Sequence, residues 1–346
     1  MALMRGAILL LAALAIASSA SAQDFRIEEA KSVTALDVDG LKPKTIAFTD
    51  YKTDQLADPG SGLIKFEDWA RERPVQKQFL SLYPSYVEPM ATKTTPDGTQ
   101  RLTKEKLHMY VAEARFVLAK APDKVDLARY ATLAVLQGMD AQITHKQIAA
   151  NDVMFLQPNV ETANGLNPDR PWCEAKPNVV CVQSSYKFEG QLPIGVRLIN
   201  KLRDGVKKVQ EHLEFQSEIR LLSPQEIDQE GLAKLTGVNS PVVGVLEQNI
   251  FYVNQVMRFG KFLAITQQHP TDPTKTVATA FMALAVKTDV LEMKKEYESF
   301  PVLRNLVPAQ VLAGKSSFNT GKSLSAGLPE YTRNRIKAIA GLLERG

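Results

Sequence analysis

The sequence predicts an α+β fold, in which an N-terminal helical part is followed by an antiparallel sheet packed with helices. Two observations predict the sheet. Residues 213–221 alternate apolar and polar side chains, the period of a strand with one face in the core and one in water. Residues 259–266 and 276–286 are apolar runs joined by a loop with two prolines and an aspartate, which indicates a chain reversal. We therefore expect residues 211–287 to form the core of the main domain.

The helical part is predicted from residues 107–118. Apolar side chains recur there at spacings of three and four, as on the buried stripe of an amphipathic helix, and Thr103 is placed to cap it. The stripe consists of Leu107, Tyr110, Val111, Ala114, Val117 and Leu118. A second stripe over residues 127–135 follows a short connection, which favours an antiparallel pair of helices.

Four later segments complete the predicted elements. Residues 180–188 are strand-like, and residues 241–257 are apolar and rich in β-branched side chains, with a helix as the alternative. Ser223 and Pro224 have the N-cap and first-turn chemistry of a short helix. A terminal helix is expected to begin at Pro329.

Three segments follow from these patterns. Residues 1–22 are predicted to be a signal peptide, residues 23–160 a mainly helical part, and residues 161–346 an α+β domain with the antiparallel sheet. The boundary is placed in the polar stretch 157–178, which carries four prolines.

The composition is that of a globular protein with a buried core. Of 346 residues, 45% are hydrophobic and 23% are charged. The formal net charge of +4 is too small for a chain of this length to indicate a nucleic-acid partner.

The first residues have the pattern of a secretory leader. Arg5 precedes an unbroken apolar run at residues 7–17, and small residues at 20–22 favour cleavage between Ala22 and Gln23. The alternative is a buried N-terminal helix of a cytosolic protein. The residue after the cut is not cysteine, so a lipid-anchored product is not expected. No later run reaches 18 uninterrupted apolar residues, so no transmembrane helix is expected. The sequence therefore predicts a periplasmic or secreted protein without a transmembrane segment once the leader is removed.

Two cysteines, Cys173 and Cys181, are expected to form a disulfide in an oxidising compartment. A metal site is the alternative, but two thiols with no nearby histidine do not complete a tetrahedral ligand set. We predict no metal and no cofactor.

One enzymatic hypothesis comes from Ser184 and Lys187, which have the Ser-x-x-Lys spacing of serine acyl-transferases and β-lactam-binding enzymes. Tyr252 begins a Tyr-Val-Asn triplet that resembles their second motif. The hypothesis requires a helix, because one helical turn brings the amine against the hydroxyl, whereas a strand places the two side chains on opposite faces.

A loop over residues 312–327 contains Gly-Lys-Ser twice. The first glycine that a phosphate-binding loop requires is missing in both copies. Lys315, Ser316, Lys322 and Ser323 remain candidates for contact with an anion or a lipid headgroup.

The hypothesis favoured by the sequence is a non-catalytic exported protein of unspecified function, which binds an apolar small molecule or an envelope protein. It follows from apolarity on both sides of residues 262–265 and 277–286, since such strands are covered on both faces or face a cavity. The alternative is an envelope acyl-transferase or hydrolase using Ser184 and Lys187. A third hypothesis is a surface protein whose terminal helix docks on a membrane or on a second copy. The ligand, the oligomeric state and the role of loop 312–327 stay open.

Overall fold

The computed structural model describes residues 25–30, 38, 40–52, 90–94, 96–104, 107–139, 143–154, 171–187, 212–253, 257–287 and 324–345. The strands are β1 (Arg26–Glu29), β2 (Thr45–Lys52), β3 (Met90–Thr94), β4 (Gln100–Lys104), β5 (Leu107–Leu118), β6 (Ile143–Gln147), β7 (Val179–Lys187), β8 (His212–Leu221), β9 (Val242–Val253), β10 (Met257–Gln268) and β11 (Thr276–Lys287). The α-helices of these ranges are α1 (Leu133–Met139), α2 (Gln229–Thr236) and α3 (Leu324–Arg345). Short 3-10 turns lie at Pro122–Lys124, Leu127–Tyr130 and Ala150–Asp152.

Nine of the strands form one mixed sheet in the order β1-β2-β5-β11-β10-β9-β8-β7-β6. Strands β7 to β11 follow one another as an antiparallel meander, whereas β1 and β2 are parallel. Strands β3 and β4 pair separately. Strands from both sides of the proposed boundary near residue 160 therefore pair in the same sheet.

The predicted fold class is wrong, because the structure is dominated by this sheet and residues 107–118 form the strand β5 instead of a helix. The candidate N-cap Thr103 lies in β4. Strand β5 runs between β2 and β11, and Val111 to Phe116 are buried on both sides of it. Burial of both faces removes the period-two signal, so the apolar positions fell by chance into helical spacing.

Strand β8 is confirmed, but its predicted exposure is wrong. Gln216 and Glu218, which were expected to face water, are as buried as Phe215 and Ile219 on the other side. The strand has neighbours on both edges and both of its faces are covered. Polarity along a strand therefore does not show that a face meets solvent.

The short helix predicted after Ser223 and the terminal helix predicted from Pro329 are both present, but each begins at a different residue than predicted. Helix α2 begins at Gln229 and is capped by Asp228, whose side chain accepts a hydrogen bond from Gly231 N at 2.9 Å. Ser223 instead closes a turn with Glu226, through its backbone N–H at 2.9 Å and its hydroxyl at 2.8 Å. The terminal helix is confirmed as α3, although it begins at Leu324, before Pro329. None of the helices in the described ranges is long and apolar enough to cross a membrane.

Helix α3 packs on one side of the sheet, which we call the helix face. Its buried residues Ile336, Ile339, Ala340 and Leu343 contact the main apolar core. The sheet offers a row of alanines there, Ala114, Ala280 and Ala264, on three adjacent strands. Small side chains let the helix lie close to the strands, which improves the packing. The apolar stripe of α3 is thus used inside the protein, contrary to the hypothesis that it docks on a membrane or a second copy.

The predicted β10–β11 hairpin is confirmed, with Phe262 opposite Met282 and Gln268 opposite Thr276. Asp272 organises its loop. Its carboxylate receives Lys275 Nζ at 2.8 Å and Thr274 N at 3.0 Å. These hydrogen bonds, first from Lys275 and then from Thr274, hold the pKa of Asp272 below its ordinary value.

Asp272→Asn is expected to lower stability at neutral pH, with a difference from wild type that shrinks in acid. A carboxylate with a lowered folded-state pKa stabilises the protein above its unfolded pKa of about 3.9, and this contribution is lost as the pH falls through the folded value. Urea unfolding midpoints of both proteins at pH 7 and below pH 4 measure the effect. Lys275→Met removes one of the hydrogen-bond donors to Asp272, so it should also lower stability at pH 7 and do so less below pH 4. An equal difference at both pH values would contradict the assignment.

Candidate functional site

The face of the sheet opposite α3 carries an unusual set of buried charged side chains, and we call it the polar face. They are Glu113, Arg115, Glu218, Glu247 and Lys261, none more than 4% exposed. Each alternates along its strand with a residue of the helix-face core, such as Ala114 next to Glu113 and Phe262 next to Lys261. Charged side chains are rarely so buried without a specific role or partner.

Four residues of this face line up across four adjacent strands, and we call them the polar row. Lys261 on β10 lies opposite Asn249 on β9, Asn249 lies opposite Glu218 on β8, and Glu218 lies opposite Cys181 on β7. Asn249 is fully buried, and neither its amide nitrogen nor its amide oxygen has a hydrogen-bond partner in the protein. The Asn249 side chain therefore has an unpaired hydrogen-bond donor and an unpaired acceptor, and it lies between Lys261 and Glu218.

Other unmet polar atoms lie on the same face. They include the hydroxyls of Thr49 and Thr279 and the side-chain oxygen of Gln267. On the helix face, by contrast, Gln248 donates to Ser217 at 2.8 Å and Thr266 donates to Gly244 O at 3.2 Å. An unsatisfied buried polar group costs about 1–3 kcal/mol, so a cluster of them on one face requires a reason.

Several charged groups of the polar face form ion pairs or hydrogen bonds. Arg220 contacts Glu247 at 3.0 Å and Glu226 at 2.8 Å. Burial lowers the pKa of Arg220, but the charges of Glu247 and Glu226 outweigh it and raise that pKa overall. Arg115 lies 3.8 Å from Glu113 and also donates to Thr236 O. Ion pairing thus accounts for much of the buried charge but not for Asn249.

Apolar side chains also lie near the polar row. Leu263 and Phe281 lie in the next row of the sheet, Ile265 lies one row further, and all three are fully buried. Phe251 and Trp172 pack beside the row, with ring centroids 5.0 Å apart. The polar face therefore mixes buried apolar side chains with buried polar and charged ones, and small-molecule sites also combine apolar surface with a few polar groups.

The two sulfur atoms of Cys173 and Cys181 lie 2.01 Å apart, at disulfide-bond distance. The backbone N–H of Cys173 donates to Glu218 at 2.9 Å, which ties the disulfide to the polar row. Cys173 has a φ of 59°, in the left-handed region that a side chain disfavours. The sulfurs and the Glu218 carboxylate lie within 4.8 Å of one another, but bonded sulfurs are not thiolate ligands for a metal.

The double variant Cys173→Ala/Cys181→Ala is expected to be less stable than wild type by about 2–3 kcal/mol, the chain-entropy value for so short a loop. Chemical denaturation with and without reductant measures this. Reductant should destabilise wild type and leave the variant unchanged. Equal stability of wild type and variant under oxidising conditions would contradict the expectation.

The structure gives the predicted serine a different partner. Ser184 Oγ is 2.8 Å from Nδ1 of His145 on the neighbouring strand β6. Ser184 and Lys187 belong to strand β7 and not to a helix, so the helical turn that the acyl-transferase hypothesis requires is absent there. Burial, and then the charge of Glu214, raise the pKa of Tyr252, which packs beside the Phe251 cluster.

The remaining predicted positions lie outside the described residues. They are Ala22 and Gln23 at the cleavage site and Lys315, Ser316, Lys322 and Ser323 in the loop. In that loop, residues 324–327 belong to helix α3.

Sequence reasoning missed Asn249, Lys261 and Glu247, which are the centre of the polar face. The available signal was the run of three polar residues, Glu247, Gln248 and Asn249, inside the largely apolar segment 241–257. Only strand pairing shows that these positions meet.

No protein-family model matches the sequence, and no curated protein matches it. Among solved structures, the chain is similar to the Zhui aromatase/cyclase from Streptomyces sp. R1128, with TM-score 0.32 and 11% identity over 69% of this chain and 95% of that chain. It is also similar to human STARD10, with TM-score 0.31 and 10% identity over 83% of each chain. Norcoclaurine synthase from Thalictrum flavum matches with TM-score 0.28 and 9% identity, over 61% of this chain and 91% of that chain. Scores this low carry no functional inference.

Proposed function

We propose that this is an exported, non-catalytic binding protein that holds a mainly apolar small molecule against the polar face of its sheet. The observation that carries the proposal is the amide of Asn249, which is fully buried between Lys261 and Glu218 and for which the protein supplies neither a hydrogen-bond donor nor an acceptor.

The free-energy cost of leaving that amide without hydrogen bonds favours a binding role over a purely structural one. Replacing it by an apolar side chain of the same shape would remove an unfavourable contribution of about 1–3 kcal/mol, so stability alone does not explain an asparagine here. A ligand that supplies the missing donor and acceptor does explain it. Such groups are common where function opposes stability.

Burial of Asn249 also favours a small molecule over an envelope protein as the partner. Its side chain is fully buried and closed to a protein docking from outside, so only a small molecule that enters the protein when the fold opens would reach it. The neighbouring Leu263 and Phe281 offer apolar contact for the rest of the molecule.

Periplasmic or extracellular localisation is part of the proposal. It is supported by the leader-like pattern at residues 1–22 and by the cysteine pair at disulfide distance, since disulfides persist in oxidising compartments.

Native mass spectrometry of protein purified from the periplasm tests the binding role. A co-purified apolar molecule is expected with wild type. Leu263→Ala creates a cavity on the polar face and should shift the bound species toward bulkier or longer molecules. The matched variant Leu246→Ala makes a similar cavity on the helix face and should retain the wild-type ligand. Absence of any bound apolar species, both in purified protein and after incubation with lipid extract, would contradict the proposal.

A second candidate function, an envelope acyl hydrolase, is favoured by the 2.8 Å contact between His145 and Ser184. A histidine at hydrogen-bond distance is the usual activator of a nucleophilic serine. Ser184, however, is fully buried, so an acyl substrate does not reach it in this conformation. A generic acyl probe decides the question, because labelling that disappears in both Ser184→Ala and His145→Gln would establish the hydrolase.

A further inference from the structure

The disulfide joins two unlike parts of the chain. Cys181 lies inside strand β7, opposite Glu218 on β8, and its carbonyl oxygen accepts a hydrogen bond from Ile148 N at 3.0 Å. Cys173 lies in residues 171–176, which belong to no helix or strand and which we call the Trp172 segment. We infer that the disulfide is a redox switch, in which reduction by a dithiol releases the Trp172 segment while the sheet stays folded.

The Trp172 segment is held against the sheet at the Cys181 end of the polar row. Trp172 is 2% exposed and packs on Phe251, with ring centroids 5.0 Å apart. The backbone N–H of Cys173 donates to the Glu218 carboxylate at 2.9 Å. Release of the segment therefore brings the Trp172 ring and the Glu218 carboxylate into contact with water.

The backbone of Cys173 favours release once the covalent bond is broken. Its φ of 59° lies in the left-handed region, which costs free energy for a residue that carries a side chain. A residue keeps such a conformation only where its surroundings hold it, and the disulfide is one of these constraints. Reduction removes that constraint, so Cys173 can return to an ordinary backbone conformation.

The movement is expected to end at Asn178. Its side-chain amide donates to Leu221 O at 2.8 Å, and its carbonyl oxygen accepts from Leu221 N at 3.0 Å. Strand β7 begins at the next residue, Val179, and pairs with β8 along its whole length. Sheet hydrogen bonds therefore fix the chain from this point on, whereas residues 171–176 take no part in the sheet. Segments of this kind open locally at a lower free energy than the core.

The reaction that opens the switch is thiol–disulfide exchange. One thiolate of the dithiol attacks a cysteine sulfur, and the Cys173–Cys181 bond breaks as a mixed disulfide forms. The second thiolate of the dithiol then displaces the protein sulfur and closes the reagent's own disulfide. The protein gains two electrons and two protons and is left with two thiols, and exchange with a disulfide reagent reverses the step.

Fluorescence of Trp172 tests the switch in the variant Trp69→Phe, in which Trp172 is the only tryptophan. Acrylamide quenching and the emission maximum are measured before and after reduction with dithiothreitol. Reduction should raise the quenching constant several-fold and shift the emission to the red, while far-UV circular dichroism changes little. Hydrogen exchange followed by mass spectrometry should become faster in residues 171–176 and stay unchanged in the β10–β11 hairpin.

The control adds Cys173→Ala and Cys181→Ala to Trp69→Phe. This protein should show the high quenching constant without reductant, and dithiothreitol should not change it. A Trp172 ring that stays protected in the reduced protein or in the control would overturn the switch. Loss of protection in the β10–β11 hairpin on reduction would also overturn it, because the disulfide would then hold the whole fold. Either result leaves the proposed function standing, since none of these measurements involves a ligand.

Discussion

Asn249→Leu is expected to make the ligand-free protein more stable by about 1–3 kcal/mol, because it removes a buried amide whose two hydrogen bonds are unmade. Leucine has nearly the shape of asparagine and adds apolar contact beside Leu263 and Phe251 on the same face. A substitution at the centre of a sheet face would ordinarily destabilise, so the sign of the change is the informative result.

Urea unfolding of refolded, ligand-free protein with its disulfide intact gives the measurement. Gln248→Leu is the matched control, since Gln248 lies next in sequence and is equally buried but is hydrogen-bonded to Ser217 and Arg335. That control should lose stability. A loss of similar size in Asn249→Leu would show that the Asn249 amide is satisfied in the protein, and the binding proposal would lose its main support.

Glu247→Gln is expected to destabilise the protein by about 3–5 kcal/mol. The change removes the buried partner of Arg220, whose side chain is itself only 16% exposed, and a charge left without its partner in such a place is costly. Thermal and denaturant unfolding measure the loss. Glu226→Gln removes the more exposed partner of the same arginine and should cost no more than about 1 kcal/mol.

The double variant Glu247→Leu/Arg220→Met separates the pair from its surroundings. It should recover much of the stability lost in Glu247→Gln, since replacing both ions by apolar side chains avoids the unpaired charge. If the single variants at 247 and 226 cost the same, the buried pair is not the dominant partner of Arg220.

The candidate site was much harder to predict than the strands that carry it. Asn249 and Lys261 come from different strands, and Glu218 comes from a third, more than 30 residues before Asn249. An asparagine that follows two other polar residues, as in Glu247-Gln248-Asn249, is equally typical of a turn or an exposed strand position. Its neighbours, its burial and its unmet hydrogen bonds depend on the register of three strands, which no local pattern specifies.

Dependence on strand pairing also explains why β5 was wrongly predicted to be a helix. In a strand with one covered face, polarity alternates, but in a strand covered on both faces almost every position is apolar or paired. Glu113 and Arg115 are buried on the polar face of β5, and their charges interrupted the apolar run at a spacing that imitates a helix. Strands at the centre of a large sheet are therefore the elements that are hardest to predict from a single sequence.

By itself the sequence determined the elements whose signal is local, namely strand β8, the β10–β11 hairpin and the existence of the terminal helix. Alternation, turn residues and capping chemistry act over a few neighbouring residues, so they can be recognised without knowing the fold. Only the tertiary structure decided which faces of the strands are covered, that the row of alanines receives α3, and that Asn249 lies buried between Lys261 and Glu218. Those features depend on which strands pair and in which register, and pairing is a property of the whole chain.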